Sequence, residues 1–390
     1  MGDTATAAPD ARAGAAASEL DDFRAMVRTF LEREVVPHHA AWEEAGLVDR
    51  EVWRAAGRQG LLGLDVPEEY GGAGVTDFRF HAALSEEIVR VGAYGLGFAL
   101  HNDVVAPYLL GLGTEEQKRR WLPGFCSGEL VTAIAMTEPE AGSDLQAIRT
   151  TARRDGDHYV LNGAKTFITN GIHADLVVVV ARTEASGGSR GLSLLVVEQG
   201  MPGFTRSGKF DKIGMRAQDT AGLFFDDVQV PAANLLGRAG RAFLHLADNL
   251  PRERLGIAAY AVAGAETAYA HTLRHCRERT AFGQRIGTFQ HNRFALAEIA
   301  TELDIARTYV DRCIALHNDG ELDEVRAAKA KWWATDLQRR VLDRCVQLHG
   351  GYGFMREYPV ARAYVDTRVH PIYGGTNEIM KEIIGRSLGL

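Results

Sequence analysis

Several things are scarce or missing in this chain, and each absence removes a class of function. No apolar run is long enough to cross a bilayer, so no membrane-spanning helix is expected. Cysteine is sparse: Cys126, Cys276, Cys313 and Cys345 are scattered with no close-spaced pair. A disulfide framework or structural zinc site is therefore not expected, and a reducing compartment fits best. A basic excess is also missing. With 44 Lys and Arg against 51 Asp and Glu, the formal net charge is −7, which argues against sequence-independent nucleic-acid binding. No Gly-x-Gly-x-x-Gly follows a strand and opens a helix, and Gly163-Ala164-Lys165-Thr166 lacks the spacing of a phosphate-binding P-loop. There is no Gly-x-Ser-x-Gly elbow and no His-Glu-x-x-His. Cys345 and His349 stand at i, i+4 without a second ligand pair, so they read as packing residues and no metal is expected.

What is present is ordinary globular composition, 46% hydrophobic and 24% charged over 390 residues, enough for two or three domains or layers. The first eighteen residues, alanine-rich with Asp3 and Asp10, read as a frayed tail and not as a targeting signal. Gly2 with Thr6 formally fits an N-myristoylation pattern, but the acidic Asp3 and the absence of a polybasic partner argue against it. Cytoplasm is the default location. Residues 19–130 carry helical periodicity: Phe23, Val27, Phe30, Leu31 and Val35 share a stripe, and Thr114-Glu115-Glu116-Gln117 is a capping box. In 131–235 the period shortens. Tyr159 to Gly163, Leu176 to Ala181, Leu192 to Val197 and Leu223 to Phe225 are β-rich runs parted by Asp-Gly, Asn-Gly and Gly-Gly signals, which predict a small antiparallel sheet or barrel. In 236–390 three long apolar-periodic segments follow, about 241–276, 290–317 and 323–350, with a last helix after Gly375. The predicted class is α+β in the order helix, sheet, helix, the final helices packing as a bundle.

Four stretches carry candidate chemistry. The polar, turn-rich run from Ala135 to Asp144 and the run Lys165-Thr166-Phe167-Ile168-Thr169-Asn170-Gly171 offer an aromatic wall with hydroxyl and backbone donors. A flat heteroaromatic cofactor needs that combination, although plain loop chemistry explains the same residues equally well. The run from Gln347 to Phe354 places three close glycines after a helix, where backbone N–H groups can cradle pyrophosphate or simply cap the helix. Tyr373-Gly374-Gly375-Thr376-Asn377-Glu378 combines backbone freedom with a helix N-terminus, which can face an anion or can be a turn that starts the last helix.

Together these stretches resemble both signature patterns of the acyl-CoA dehydrogenase family, from about residue 20 to the C-terminus. Leu250 to Leu255, Ala217 to Ala221 and Tyr373 to Lys381 are most similar to the long-chain branch, with isovaleryl-CoA dehydrogenase sharing the local pattern. The resemblance implies an N-terminal helical domain, a middle β-domain and a C-terminal four-helix bundle, with FAD between domains and across a subunit contact. It implies that Met136, Thr137, Ser143, Phe167 and Thr169 hold the flavin ring. Arg279, Phe282, Gln290, Gln347, Gly350 and Gly351 would meet the adenine dinucleotide end of a neighbouring subunit's FAD, and Thr376, Asn377 and Glu378 complete that site. On the substrate side it draws on Ser143, Pro251, Arg254, Tyr373, Gly374 and Gly375. The implied reaction is α,β-dehydrogenation of an acyl-CoA to the trans-2-enoyl-CoA. A glutamate takes the α-proton, flavin N5 takes the β-hydride, and the Gly374 N–H binds the thioester carbonyl. Electrons pass to an electron-transfer flavoprotein, and the enzyme is a homo-oligomer, a tetramer or a dimer. A carrier-protein-bound acyl group or dioxygen as acceptor are the alternatives.

Short- and medium-chain members of the family carry the glutamate directly after the tyrosine, where this chain has Gly374. Glu253 answers the deficit. On a helix, Leu246, Leu250, Ile257 and Tyr260 lie at −7, −3, +4 and +7 from it, so its carboxylate points along an apolar stripe, where carboxylates are rare. The alternative is an ion pair with a nearby arginine, or a twist at Pro251 that turns this face to solvent. The long-chain and isovaleryl branches place their base at this Glu-Arg-Leu position. Burial raises the pKa of such a group and Arg254 lowers it, a balance that sequence leaves open. The small residues that follow, Gly256, Ala258, Ala259, Ala261 and Ala263, leave space for an acyl chain or permit close helix packing.

Overall fold

A computed structural model describes residues 9–184 and 191–390. The Gly2–Thr6 pattern and the Gly-Gly signal near residue 187 lie outside the described residues. Helices α1 (Pro9–Glu34), α2 (Val36–Ala45), α3 (Arg50–Arg58) and α4 (Phe78–Arg90) lead through a π-helical turn, Leu100–Val105, into α5 (Ala106–Leu112) and α6 (Glu115–Ser127). Helix α1 thus reaches into the segment read as a tail. The Thr114 capping box forms as expected: Gln117 N–H donates to Thr114 Oγ1 and the Gln117 side chain accepts from Thr114 N–H.

The sheet comprises β1 (Thr132–Ala135), β2 (Thr151–Asp155), β3 (His158–Thr169), β4 (Leu176–Arg182), β5 (Leu192–Glu198), β6 (Phe204–Lys209), β7 (Thr220–Pro231) and β8 (Leu235–Leu236). Their order is β6-β7-β3-β2-β4-β5-β8, with β1 also on β4. The sheet is mixed: most neighbours are antiparallel, whereas β1 and β2 each pair parallel with β4. Parallel pairing is possible because β1 and β4 are joined by the intervening β2–β3 hairpin, a crossover and not a tight turn. β4 and β5 read as unbroken apolar runs because both of their faces are covered.

The C-terminal part is helical: α7 (Ala242–Glu278), a short hairpin of β9 (Thr280–Ala281) and β10 (Gln284–Arg285), α8 (Gln290–Asn318), α9 (Glu324–His349), α10 (Pro359–Asp366) and α11 (Asn377–Ser387). Helices α7, α8 and α9 begin and end within a few residues of the predicted segments. Ala258, Ala259, Ala261, Ala263 and Ala265 are buried in the main core, so close packing accounts for most of the small-residue stripe. At Gly264 an added Cβ would stand 2.3 Å from Gln338 Nε2 of α9, which leaves no room for a side chain there. Two further cores lie between the sheet and α5–α6 and within the sheet itself.

Candidate active site

Three clusters emerge, and the first joins the two motifs expected to contact a cofactor. Lys165, fully buried on β3, donates to the Met136 carbonyl (2.9 Å) and pairs with Glu138 (2.8 Å). Glu138 also accepts from the N–H groups of Arg149 and Thr150, and Thr166 N–H donates to the Thr137 carbonyl (2.9 Å). Burial pulls the Lys165 ammonium down to about 8 despite Glu138. Between Lys165 and Ile168 the β3–β7 register shifts by a bulge, and Phe167 takes φ +59. The bulge ejects the ring, which is 69% exposed and packs edge-on against Phe210, while Met136, Thr137 and Thr169 are half-buried beside it. An exposed aromatic flanked by strand-edge groups suits one wall of a flat ring system. Ser143 lies in the exposed turn beyond.

The second cluster surrounds Glu253. Helix α7 continues through Pro251 and carries Leu246 and Tyr260 into the core with Leu250 and Ile257 half-buried, so the predicted apolar stripe is real. Part of Glu253 borders open space, yet protein mass surrounds the carboxyl, and its Oε2 has no hydrogen-bond partner. Burial holds it above the usual carboxylate range, against the opposing pull of Arg254 and Lys331. The flanking arginines are tethered elsewhere: Arg252 to Asp65 (2.7 Å) and Arg254, buried, to Glu324 (3.1 Å). Tyr108 of α5 and Tyr373 are both raised by burial and by the Glu253 charge.

Opposite the base runs the Tyr373–Asn377 loop. Gly374 and Gly375 take φ +63 and +86, a conformation that only glycine adopts readily. A Cβ on Gly374 would lie 3.5 Å from Glu253 Oε1 and 2.3 Å from Ile257 Cδ1. The loop is pinned from α9: Lys331 Nζ donates to the Gly375 carbonyl (2.7 Å) and to Asn377 Oδ1 (3.2 Å), and Thr335 Oγ1 donates to the same Asn377 oxygen (3.0 Å). Asn377 Nδ2 donates to the Trp332 carbonyl (3.3 Å), so this side chain faces α9. Thr376 caps α11 by accepting from Ile379 N–H, and Glu378 is exposed beside it. Upstream, His370 stacks on Tyr373 and donates from Nδ1 to Gln338 Oε1 (2.7 Å); burial lowers it to about 3, so the ring is neutral.

The third cluster lies at the far end of α7. Arg279 stacks over Tyr352 (5.6 Å), and Phe282, at φ +53 in the β9–β10 turn, is 95% exposed. Gln290, Gln347, Gly350 and Gly351 are exposed around it, with nothing within 4 Å of a Cβ added at either glycine. Arg279 follows Glu253 by 26 positions along and just past one helix, about 39 Å at 1.5 Å per residue. The two clusters therefore do not meet within one chain. His349 Nδ1 bonds the Cys345 carbonyl and, among the described residues, no group of His, Cys, Asp and Glu is arranged to hold a metal.

Sequence reasoning gave no individual role to Lys331, Lys165, His370 or Gln338. Lys331 bore the same signal as Glu253: it sits among Ala327, Ala328, Ala330 and Ala334 at helical spacing, a charge on an apolar stripe.

Models of the acyl-CoA dehydrogenase N-terminal, middle and C-terminal domains match residues 17–129, 133–228 and 243–389. The chain is 50% identical over 373 residues to the mitochondrial long-chain specific acyl-CoA dehydrogenase of Sus scrofa, spanning 95% of this chain and 86% of that protein. Among solved structures, an acyl-CoA dehydrogenase from Geobacillus kaustophilus superposes with a TM-score of 0.94 at 51% identity, covering 95% and 98% of the two chains. One from Bacillus anthracis, complexed with FAD, superposes at 0.89 with 31% identity, covering 95% and 66%.

Proposed function

The chain belongs to the acyl-CoA dehydrogenase family, and from that premise we propose that Glu253 is the base that removes the α-proton of a bound acyl-CoA. The observation that carries this reading is the meeting of Glu253 and Gly374. Where a side chain would project from Gly374, the structure has glycine, and Glu253 from α7 presents its carboxylate to that space. Its free Oε2 has a lone pair to accept a proton, and its raised pKa makes it a stronger base once ionised. Gly374, in its glycine-only conformation, offers an N–H for the thioester oxygen as enolate character develops. Ile257 packs against Gly374, and Tyr373 flanks it, so apolar and aromatic surface borders the reacting centre.

The family is FAD-dependent, and when bound FAD supplies the acceptor for the hydride that leaves the β-carbon. The residues present fit it: the ejected Phe167 ring supports a flat ring system, with Met136, Thr137, Ser143 and Thr169 at its edge. Arg279, Phe282, Gln290, Gln347, Gly350 and Gly351 lie too far from Glu253 to serve the same cofactor, so they are assigned to the FAD of a second copy. Thr376 and Glu378, on and just after the loop beside Glu253, are assigned instead to the FAD next to that base. The enzyme is accordingly a homo-oligomer, a tetramer or a dimer. Pro251, Arg254, Tyr373 and Gly375 border the thioester end. A long-chain acyl-CoA is the assigned substrate on the likeness to the porcine enzyme, and an electron-transfer flavoprotein the assigned electron acceptor. Four buried free thiols suit a reducing compartment such as the cytoplasm. The direct test is anaerobic flavin bleaching by a panel of acyl-CoAs with wild type and Glu253→Gln. The variant should lose several powers of ten in rate, and near wild-type bleaching would refute the assignment.

A further inference from the structure

We propose that Lys331 is the positioning residue of this site: its buried ammonium clamps the Tyr373–Asn377 loop through the Gly375 carbonyl and supplies the positive charge that keeps Glu253 ready as a carboxylate. The proposal rests on the reading of Glu253 as base and of the Gly374 N–H as thioester donor.

Lys331 is 0% exposed, and among the described residues no carboxylate lies within ion-pair distance of it. A buried cation without a contacting counter-ion is unfavourable, and a chain segment selected for packing alone fills such a place with an apolar side chain. The surrounding positions of α9 do so: Ala327, Ala328, Ala330, Ala334 and Leu337 are all buried. Lys331 instead spans to the loop, and two of its three N–H donors reach Gly375 and Asn377.

The position of those contacts is what matters. Gly375 directly follows the residue whose N–H is assigned to the thioester. Two adjacent glycines have the most conformational freedom to lose, so holding them at φ +63 and +86 calls for contacts from outside the loop. His370 and Asn377 fix the two ends of the loop on α9, and Lys331 fixes its middle. The charged and titratable groups facing Lys331 are Glu253 and Arg254 from α7, Glu378 from α11 and His370 from the segment before the loop. Among these, Glu253 is the carboxylate with an unpartnered buried oxygen, and it feels Lys331 as a stabilising cation. Burial lowers Lys331 to about 7, so its charge is itself sensitive near neutral pH.

The test uses FAD-loaded wild type, Lys331→Met, Lys331→Gln and Glu253→Gln. One readout is the pH-dependent binding of a 3-oxoacyl-CoA, followed by the flavin spectrum; this ligand offers the carbonyl and acidic α-hydrogens but no β-hydride to lose. The second is the pH profile of single-turnover flavin reduction. Lys331→Met should weaken 3-oxoacyl-CoA binding about tenfold or more and move the acid limb of reduction to higher pH. Lys331→Gln, which can still donate to Gly375 without a charge, should recover part of the binding and keep the displaced limb. If Lys331→Met does not fold, Lys331→Gln carries the test alone. Folded, FAD-loaded Lys331 variants with unchanged affinity and an unmoved limb overturn the proposal, provided Glu253→Gln is inactive. Near wild-type reduction by Glu253→Gln would show instead that the reading of the base had failed.

Discussion

The carboxylate of Glu253 and the bare α-carbon of Gly374 confront each other: a Cβ built on Gly374 would stand 3.5 Å from Glu253 Oε1. Two chain positions 121 residues apart thus address one point in space, and only one of them carries an acid. The glycine is required where it is, because its φ of +63 disfavours any side chain and Ile257 Cδ1 fills the remaining room at 2.3 Å.

This relationship predicts conditional rescue. In a Glu253→Gln background, Gly374→Glu alone should restore little flavin reduction, because the new side chain collides with Ile257 and strains the backbone. Adding Ile257→Ala should raise the rate about tenfold or more above the Glu253→Gln level, a gain well below full repair because the φ strain persists. Rapid-reaction bleaching by an acyl-CoA reads the outcome, and no recovery in the triple variant would mean that the two positions do not share a substrate carbon.

The raised pKa of Glu253 has a stability consequence. A carboxyl whose pKa is higher in the folded than in the unfolded chain binds protons more readily when folded, so stability falls as pH rises from the unfolded value through the folded one. Glu253→Gln removes that penalty. The variant should melt at a higher temperature than wild type at pH 7, with the gap closing as pH falls toward 4. A lower Tm at pH 7 would contradict the assigned direction.

The buried Lys165–Glu138 pair ties β3 to the segment after β1 and sets the strand edge beside Phe167. Lys165→Met leaves Glu138 uncompensated and should cost about 3–5 kcal/mol of stability, with weakened FAD retention. The double variant Lys165→Met/Glu138→Gln should recover much of the loss. Urea unfolding and flavin content after gel filtration measure both effects.

If the third cluster serves a second copy, Phe282→Ala and Arg279→Ala should lose FAD on dilution while the Glu253 site stays intact. Light scattering during gel filtration should show smaller species as FAD is lost. Full FAD occupancy in a monomeric variant would argue that the cluster has another role.

Much of this was legible in the sequence for identifiable reasons. Helices α7, α8 and α9 carry long 3.6-residue periodicity, and Glu253 interrupts an apolar stripe, so both declared themselves. Strand β6, Phe204 to Lys209, did not, because its exposed and half-buried residues follow no apolar alternation. The parallel pairing of β1 and β2 with β4 was likewise hidden, since pairing direction depends on contacts between segments far apart in the chain. Asn377 read as a cofactor ligand from its motif, whereas its side chain turns to Lys331, Thr335 and Trp332 through the fold of the loop onto α9. The balance at Glu253 became readable only with Arg254 placed on Glu324 and with the carboxyl enclosed.

The central claim concerns one proton. Wild-type enzyme incubated anaerobically in D2O with a 3-oxoacyl-CoA, which enolises but surrenders no hydride, should exchange its α-hydrogens far faster than solvent alone, as followed by proton NMR. Glu253→Gln, still loaded with FAD and still binding the ligand, should bring that exchange close to the uncatalysed rate. Exchange at the wild-type rate in the variant would contradict the account.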